Sequence, residues 1–234
     1  MKHWLFMVVF IGCNLHIQAQ DALAEAVYLS NQGAYEASDS MLAHYIDQHP
    51  QRKYDVARAW YFRSYNLMQL GQFEEARSAN DKSIDLRAQL RTMDTAENFL
   101  RHAQIDLRAG LYDQALNDAQ QGMQMLIENP VLYAELNIAA AHALYQTGQS
   151  AEAINYLQTA ADIIQVELHP KEALFGHTSL RIANLYARMS IYEQALRHYL
   201  SAFSSSMDNP SRGKALILSW YVYHRQQLQK DKSQ

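Results

Sequence analysis

The chain has 234 residues, 49% of them hydrophobic, which suits a sizeable buried core and excludes a disordered chain. Twenty Lys and Arg stand against 24 Asp and Glu, and the pI is near 6.2. No basic excess exists to neutralise a phosphate backbone, so nucleic acid is not expected as a partner. Only four prolines occur and runs of Val, Ile and Thr between turns are missing, so the expected class is all-α.

The chain opens with MKHWLFMVVFIGCNLHIQAQ: a basic Lys2, an apolar run from Trp4 to Ile11, then a polar stretch. That order predicts a secretory signal over residues 1–20, cut after Ala19 or Gln20. The apolar run is too short to span a bilayer, which takes about 20 residues, so no integral span is expected in the mature chain. Cys13 is the only cysteine and lies inside this signal, so cleavage near residue 20 removes every thiol. The alternative is that FIGC acts as a bacterial lipobox, with Cys13 lipidated as the new N-terminus, although Phe10 departs from the usual aliphatic residue.

Behind the signal, one short motif recurs. QGAYEASD at 32, LGQFEEAR at 70, AGLYDQAL at 109, TGQSAEAI at 147 and MSIYEQAL at 189 each read as a helix end, a turn and a helix start. Pro50, Pro130, Pro170 and Pro210 keep a 40-residue beat with one mark missing near Leu90. Pro suits the first turn of a helix, so each is expected to mark the start of a first helix, with Asn129 and Asn209 as N-caps and His49 and His169 as poorer ones. Where Pro is missing, Asp94 with Glu97 is expected to form a capping box. Gly33, Gly71, Gly110, Gly148 and then Ser190 are expected to end each first helix in a left-handed turn. These marks divide residues 21–209 into five helix–turn–helix units, about 21–50, 51–91, 92–129, 130–168 and 169–209. Residues 210–234 are expected to form a capping helix with a polar tail; its apolar stretch, Ala215 to Tyr223, is half of a spanning helix.

The second unit carries Trp60, Leu67, Gly71, Phe73, Ala76 and Leu86, and the third Phe99, Gly110, Tyr112, Ala115 and Ala119. The fourth has Ala141, Gly148, Ala153, Leu157 and Ala160; the fifth has Ala183, Tyr186, Tyr192, Ala195, Tyr199 and Ala202. This pattern resembles the tetratricopeptide repeat (TPR) family. The 40-residue spacing and HP dipeptides look like the longer-helix variety seen in kinesin light chains. Ser38, Ser150 and Ser190 depart from it, standing where an Ala, an aromatic and a Gly are expected. The resemblance implies a right-handed superhelical solenoid of about five repeats. It also implies a non-enzymatic scaffold whose first helices line a concave groove for a protein or peptide.

Helical spacing puts Arg58, Tyr65 and Gln69 on the non-core face of one first helix and Arg101, Gln104 and Arg108 on the next. The same reading gives His142 and Gln146, then Arg181, Asn184 and Arg188. Guanidinium forks suit carboxylates, and Tyr, Gln and Asn can satisfy a peptide backbone. Arg101 with Arg108 and Arg181 with Arg188 form two matched pairs, each seven residues apart, expected to flank His142 and Tyr145; Glu97 and Glu135 lie near enough to pair with arginines instead. The carboxylate clamp of chaperone-binding family members is missing, since Leu23, Val27, Tyr61, Tyr65, Leu100 and Gln104 stand at the equivalent places.

Ten histidines invite a metal site, but His44 with His49 and His169 with His177 lack ligand spacing. GKA at 213 lacks the rest of a phosphate loop, and no GxSxG occurs. No catalytic residue, metal or cofactor is therefore expected. The expected role is an exported bacterial envelope scaffold. A lipidated envelope-assembly factor and the sensing module of a signalling system are the alternatives.

Overall fold

The computed structural model describes residues 22–90, 95–126 and 128–232. The signal at 1–20, Cys13 and Asp94 lie outside the described residues. Among those described there are eleven helices and no strand. They are α1 (22–31), α2 (Tyr35–Gln48), α3 (Lys53–Gln69), α4 (Phe73–Leu90), α5 (Thr95–Ala109), α6 (Tyr112–Met125), α7 (Pro130–Gln146), α8 (Ser150–Glu167), α9 (Ala173–Arg188), α10 (Tyr192–Ser204) and α11 (Asn209–Lys232). The chain divides into two compact units, Met1–Ala109 and Gly110–Gln234.

Turn chemistry sets the hairpins. Gly33, Gly71, Gly110 and Gly148 all have φ near +80°, the left-handed region that costs Gly least, and Ser190 adopts it too, at 61°. After the turn a backbone N–H reaches five residues back, as Gln72 N does to Leu67 O at 2.9 Å, Gln149 N to Leu144 O at 2.8 Å and Ile191 N to Tyr186 O at 2.9 Å. That closure satisfies carbonyls the helix end would otherwise orphan.

The prolines behave in two ways. Pro130 does begin α7, and the Asn129 side chain accepts from Leu132 N at 3.0 Å. Pro210 sits in the first turn of α11, but Asp208 rather than Asn209 caps it, accepting from Ser211 N at 2.9 Å. Pro50 and Pro170 instead lie in the linking turns, three residues ahead of α3 and α9. A histidine before them offers a weak cap, and a residue preceding Pro is pushed away from the helical region.

In the first unit α2 packs on α3, α3 on α4, and α5 on both α3 and α4. Small residues let the helices approach: Ala26, Ala59, Ala76 and Ala103 are fully buried. Several small positions are polar. Ser38, in a place where the repeat pattern has Ala, donates to Ala26 O at 2.7 Å and accepts from Asn66 Nδ2 at 2.8 Å, while Ser30 Oγ donates to Asn66 Oδ1 at 2.6 Å. Asn98 Nδ2 donates to Asn80 Oδ1 and Asn80 Nδ2 to Asn98 O, both at 2.8 Å. These bonds fix the register of one helix on the next, although Asn98 Oδ1 is buried without a hydrogen-bond partner among the described residues.

In the second unit α6 packs on α7, α7 on α8, α8 on α9, α9 on α10 and α10 on α11. Its core is mainly apolar, built from Ile138, Leu144, Leu157, Ile164, Ile182, Tyr186, Tyr199 and the alanines between them. Gly176 in α9 lets Ser205 and Met207 pack against the backbone where a Cβ would stand.

Candidate functional site

Within each unit alternate helices are neighbours, α3 with α5 and α7 with α9, so their outward faces form one surface. Two such surfaces carry the residues singled out by helical spacing.

On the first unit, α3 supplies Tyr61 and Tyr65 one turn apart, and α5 sets Arg101 against them. The Arg101 guanidinium carbon lies 4.8 Å from each ring centroid. Its Nη1 donates to Gln104 Oε1 at 3.0 Å, while its buried Nε has no hydrogen-bond partner among the described residues. Stacking on tyrosine faces holds the guanidinium by cation–π attraction and leaves its edge for an acceptor in the plane. One turn on, Arg108 Nη1 donates to Gln69 Oε1 at 2.6 Å. Tyr35 meets Tyr65 edge to face at 6.0 Å. Burial first, then Tyr35, raises the Tyr65 phenol above its usual pKa, so it stays a neutral hydrogen-bond donor. Arg58 is exposed on the same helix.

Two participants here were not among the groove residues read from sequence. Arg87 of α4 lies 5.0 Å from the Tyr61 ring and pairs with Glu97 at 3.6 Å, so Glu97 is engaged by a second-helix arginine rather than by Arg101. Tyr61 is the other. Its i, i+4 relation to Tyr65 was the available signal, whereas nothing local marks Arg87.

On the second unit the arginines are differently placed. Arg181 is salt-bridged to Glu135, which also accepts from Thr178 Oγ1 at 3.2 Å. Burial lowers the Arg181 pKa to about 10, which still leaves it protonated at neutral pH. Arg188 lies 5.2 Å from the Tyr145 ring, and its Nη1 is 3.3 Å from His142 Nε2, as is Gln146 Nε2. Arg carries only donors, so His142 Nε2 is an acceptor and its proton sits on Nδ1. Burial, then Arg188, lowers the His142 pKa and keeps the ring neutral. Asn184 Oδ1 accepts from Tyr199 OH at 2.8 Å.

The far side of α3 holds an open cleft of about 460 Å³ against α4. Lys82 and Arg63 already cover its Trp60 ring, at 4.1 and 4.9 Å, and Arg63 is paired with Asp39. Among the described residues no group of three or more His, Cys, Asp and Glu is placed to hold a metal ion.

Residues 57–90 and 134–165 match the model of the tetratricopeptide repeat family, and they coincide with the α3–α4 and α7–α8 hairpins. These are TPR repeats. Solved TPR structures share the fold. A thermophilic TPR protein of Thermus thermophilus is 19% identical over 88% of this chain and 98% of its own, with a TM-score of 0.65. A Rap protein complexed with Competence and Sporulation Factor is 13% identical over 89% of this chain and 65% of its own, with a TM-score of 0.67. A putative kinesin light chain with nearly identical TPR-like repeats from Podosopora anserina is 14% identical over 79% of this chain and 93% of its own, with a TM-score of 0.58. At these identities the likeness is one of fold. No curated protein sequence matches the chain.

Proposed function

We propose that this chain is a non-enzymatic protein-interaction scaffold that binds an extended, acidic protein segment along the outward faces of its first TPR helices, with α3 and α5 as the principal contact. The observation that carries the reading is Arg101, a half-buried guanidinium held against both Tyr61 and Tyr65. A hydrogen bond from that guanidinium to an incoming carboxylate is charge-assisted and about twice as strong as a neutral one. A similar fold occupied by another molecule, the Rap protein with its factor, supports binding as the use of the architecture. The test is selection of random peptides displayed on phage, followed by titration of the most enriched one. Asp and Glu should be enriched, and R101E/R108E should weaken that peptide by about tenfold or more. Enrichment of peptides without acidic residues, or an unchanged affinity in the double variant, would exclude the reading.

The proposed place of work is the bacterial envelope, after export directed by residues 1–20. The support is the order of Lys2, the apolar run and the polar exit. Lipidation of Cys13 is the alternative fate of that segment. Mass spectrometry of the N-terminus decides between them, because a start at Gln20 or Asp21 means cleavage and a diacylglyceryl-Cys13 means an anchor. An unprocessed Met1 in the native host would remove both.

A further inference from the structure

α11 is the last helix of the second unit among the described residues, and its outward side is strongly apolar. Ala215, Ser219 and Val222 are buried on its inner side, where it packs on α10. A contiguous exposed apolar helix face marks an interaction surface. Here Ile217 is 70% exposed, Trp220 68%, and Tyr221 and Leu228 55% each. Residues three, four and seven apart share a helix face, so Ile217, Trp220, Tyr221, His224 and Leu228 form one continuous stripe. Trp220 and His224 touch within it, ring centroids 4.1 Å apart.

Charge decides which surface fits that stripe. α11 carries Arg212, Lys214, Arg225, Lys230 and Lys232 against a single acid, Asp231, in a chain whose net charge is −4. Lys214 and Arg225 follow the stripe along one edge, and both are exposed. Two copies of the chain meeting through α11 would face basic helix with basic helix, which opposes self-association. An anionic layer with an apolar layer beneath it satisfies both halves at once. Trp and Tyr rings favour the boundary between the two, and lysine stems lie along apolar surface while their ends reach phosphate. Among the described residues no helix is long and apolar enough to cross a membrane, so such a helix would lie in the surface.

We infer that α11 docks the second unit on an anionic lipid surface, with Ile217, Trp220 and Leu228 entering the acyl boundary and Lys214 and Arg225 pairing with headgroup phosphates. The full chain would be mixed with vesicles of phosphatidylcholine and phosphatidylglycerol whose acyl chains carry bromine. The readout is quenching of Trp220, taken as the difference between the parent and W220F. This difference stays local to α11 whatever residues 1–20 do. Strong quenching is expected, reduced several-fold by K214E or by raising salt to about 0.5 M. No quenching of Trp220, or equal quenching by pure phosphatidylcholine vesicles, would overturn the inference. So would a dimer in sedimentation equilibrium that I217E dissociates, because a second copy would then occupy the stripe. Ile217, Trp220 and Lys214 are all exposed, so the three variants should melt with the parent.

Discussion

Arg101 and Tyr65 come from different TPR hairpins, yet the guanidinium carbon of one lies 4.8 Å from the ring centroid of the other. The pair ties α5 to α3 and orients the arginine that the proposed partner would meet. A double-mutant cycle with Arg101→Ala and Tyr65→Leu should give a coupling of about 0.5–1 kcal/mol in urea unfolding, the usual size of a partly exposed cation–π pair. Arg101→Lys keeps the charge but loses the planar stack, so it should weaken peptide binding nearly as much as Arg101→Ala. Full binding in the Lys variant would mean that charge alone matters there.

On the second unit, an arginine singled out by helical spacing is already compensated. Glu135 occupies Arg181. Glu135→Gln should release that arginine, strengthening capture of an acidic peptide several-fold while lowering stability by about 1–2 kcal/mol, since the pair is only partly buried. The two effects are read from one titration and one denaturant melt. Unchanged binding would mean that Arg181 does not face the partner.

His198 lies parallel to the Tyr186 ring, centroids 5.8 Å apart, and burial followed by Arg197 lowers its pKa from 6.5 to about 4. The unfolded chain therefore takes up this proton near pH 6.5 and the folded chain only near pH 4. Stability from the neutral, stacked ring is complete above pH 6.5 and is lost as the pH falls towards 4. Discounted for partial exposure, the loss should be about 1–2 kcal/mol over that window. Comparing the parent with His198→Phe between pH 7 and pH 4.5 isolates it, because the variant keeps the stacking partner and lacks the titration. Identical slopes would dismiss the assignment.

Ser190 sits at φ 61° in the turn where the four other hairpins have Gly. Replacing it with Gly removes left-handed strain at the loss of a 3.4 Å contact from Tyr192 OH to Ser190 Oγ. Ser190→Gly should raise stability by about 0.5–1 kcal/mol, whereas Gly71→Ala, at φ 79°, should lower it by about 1 kcal/mol. Thermal melts of the two variants against the parent check both signs.

The sequence by itself determined the hairpins. A left-handed turn is chosen by the residue that occupies it, and Gly33, Gly71, Gly110 and Gly148 carry that choice wherever the rest of the chain goes. Alanines at matched offsets, such as Ala76, Ala115, Ala153 and Ala195, could be read as the small side of each pair, and all four are fully buried. Helix starts were less legible, because Pro50 and Pro170 fit a linking turn as well as a first helical turn. Only the tertiary structure decided which charged and apolar groups are available. Arg101 and Arg181 look alike in sequence, each at the head of a seven-residue arginine pair. One is stacked between two tyrosines of α3 and the other is neutralised by Glu135 of α7. The rotation of each helix on its neighbour sets those partners, and that rotation follows from packing of the whole interface. The same holds for α11, where Val222 and Trp220 are two positions apart in an apolar run. Packing on α10 buries the first at 1% exposure and leaves the second at 68%. Backbone conformation at a turn is a local property, whereas a side chain's partner and its exposure belong to the surface that folds against it.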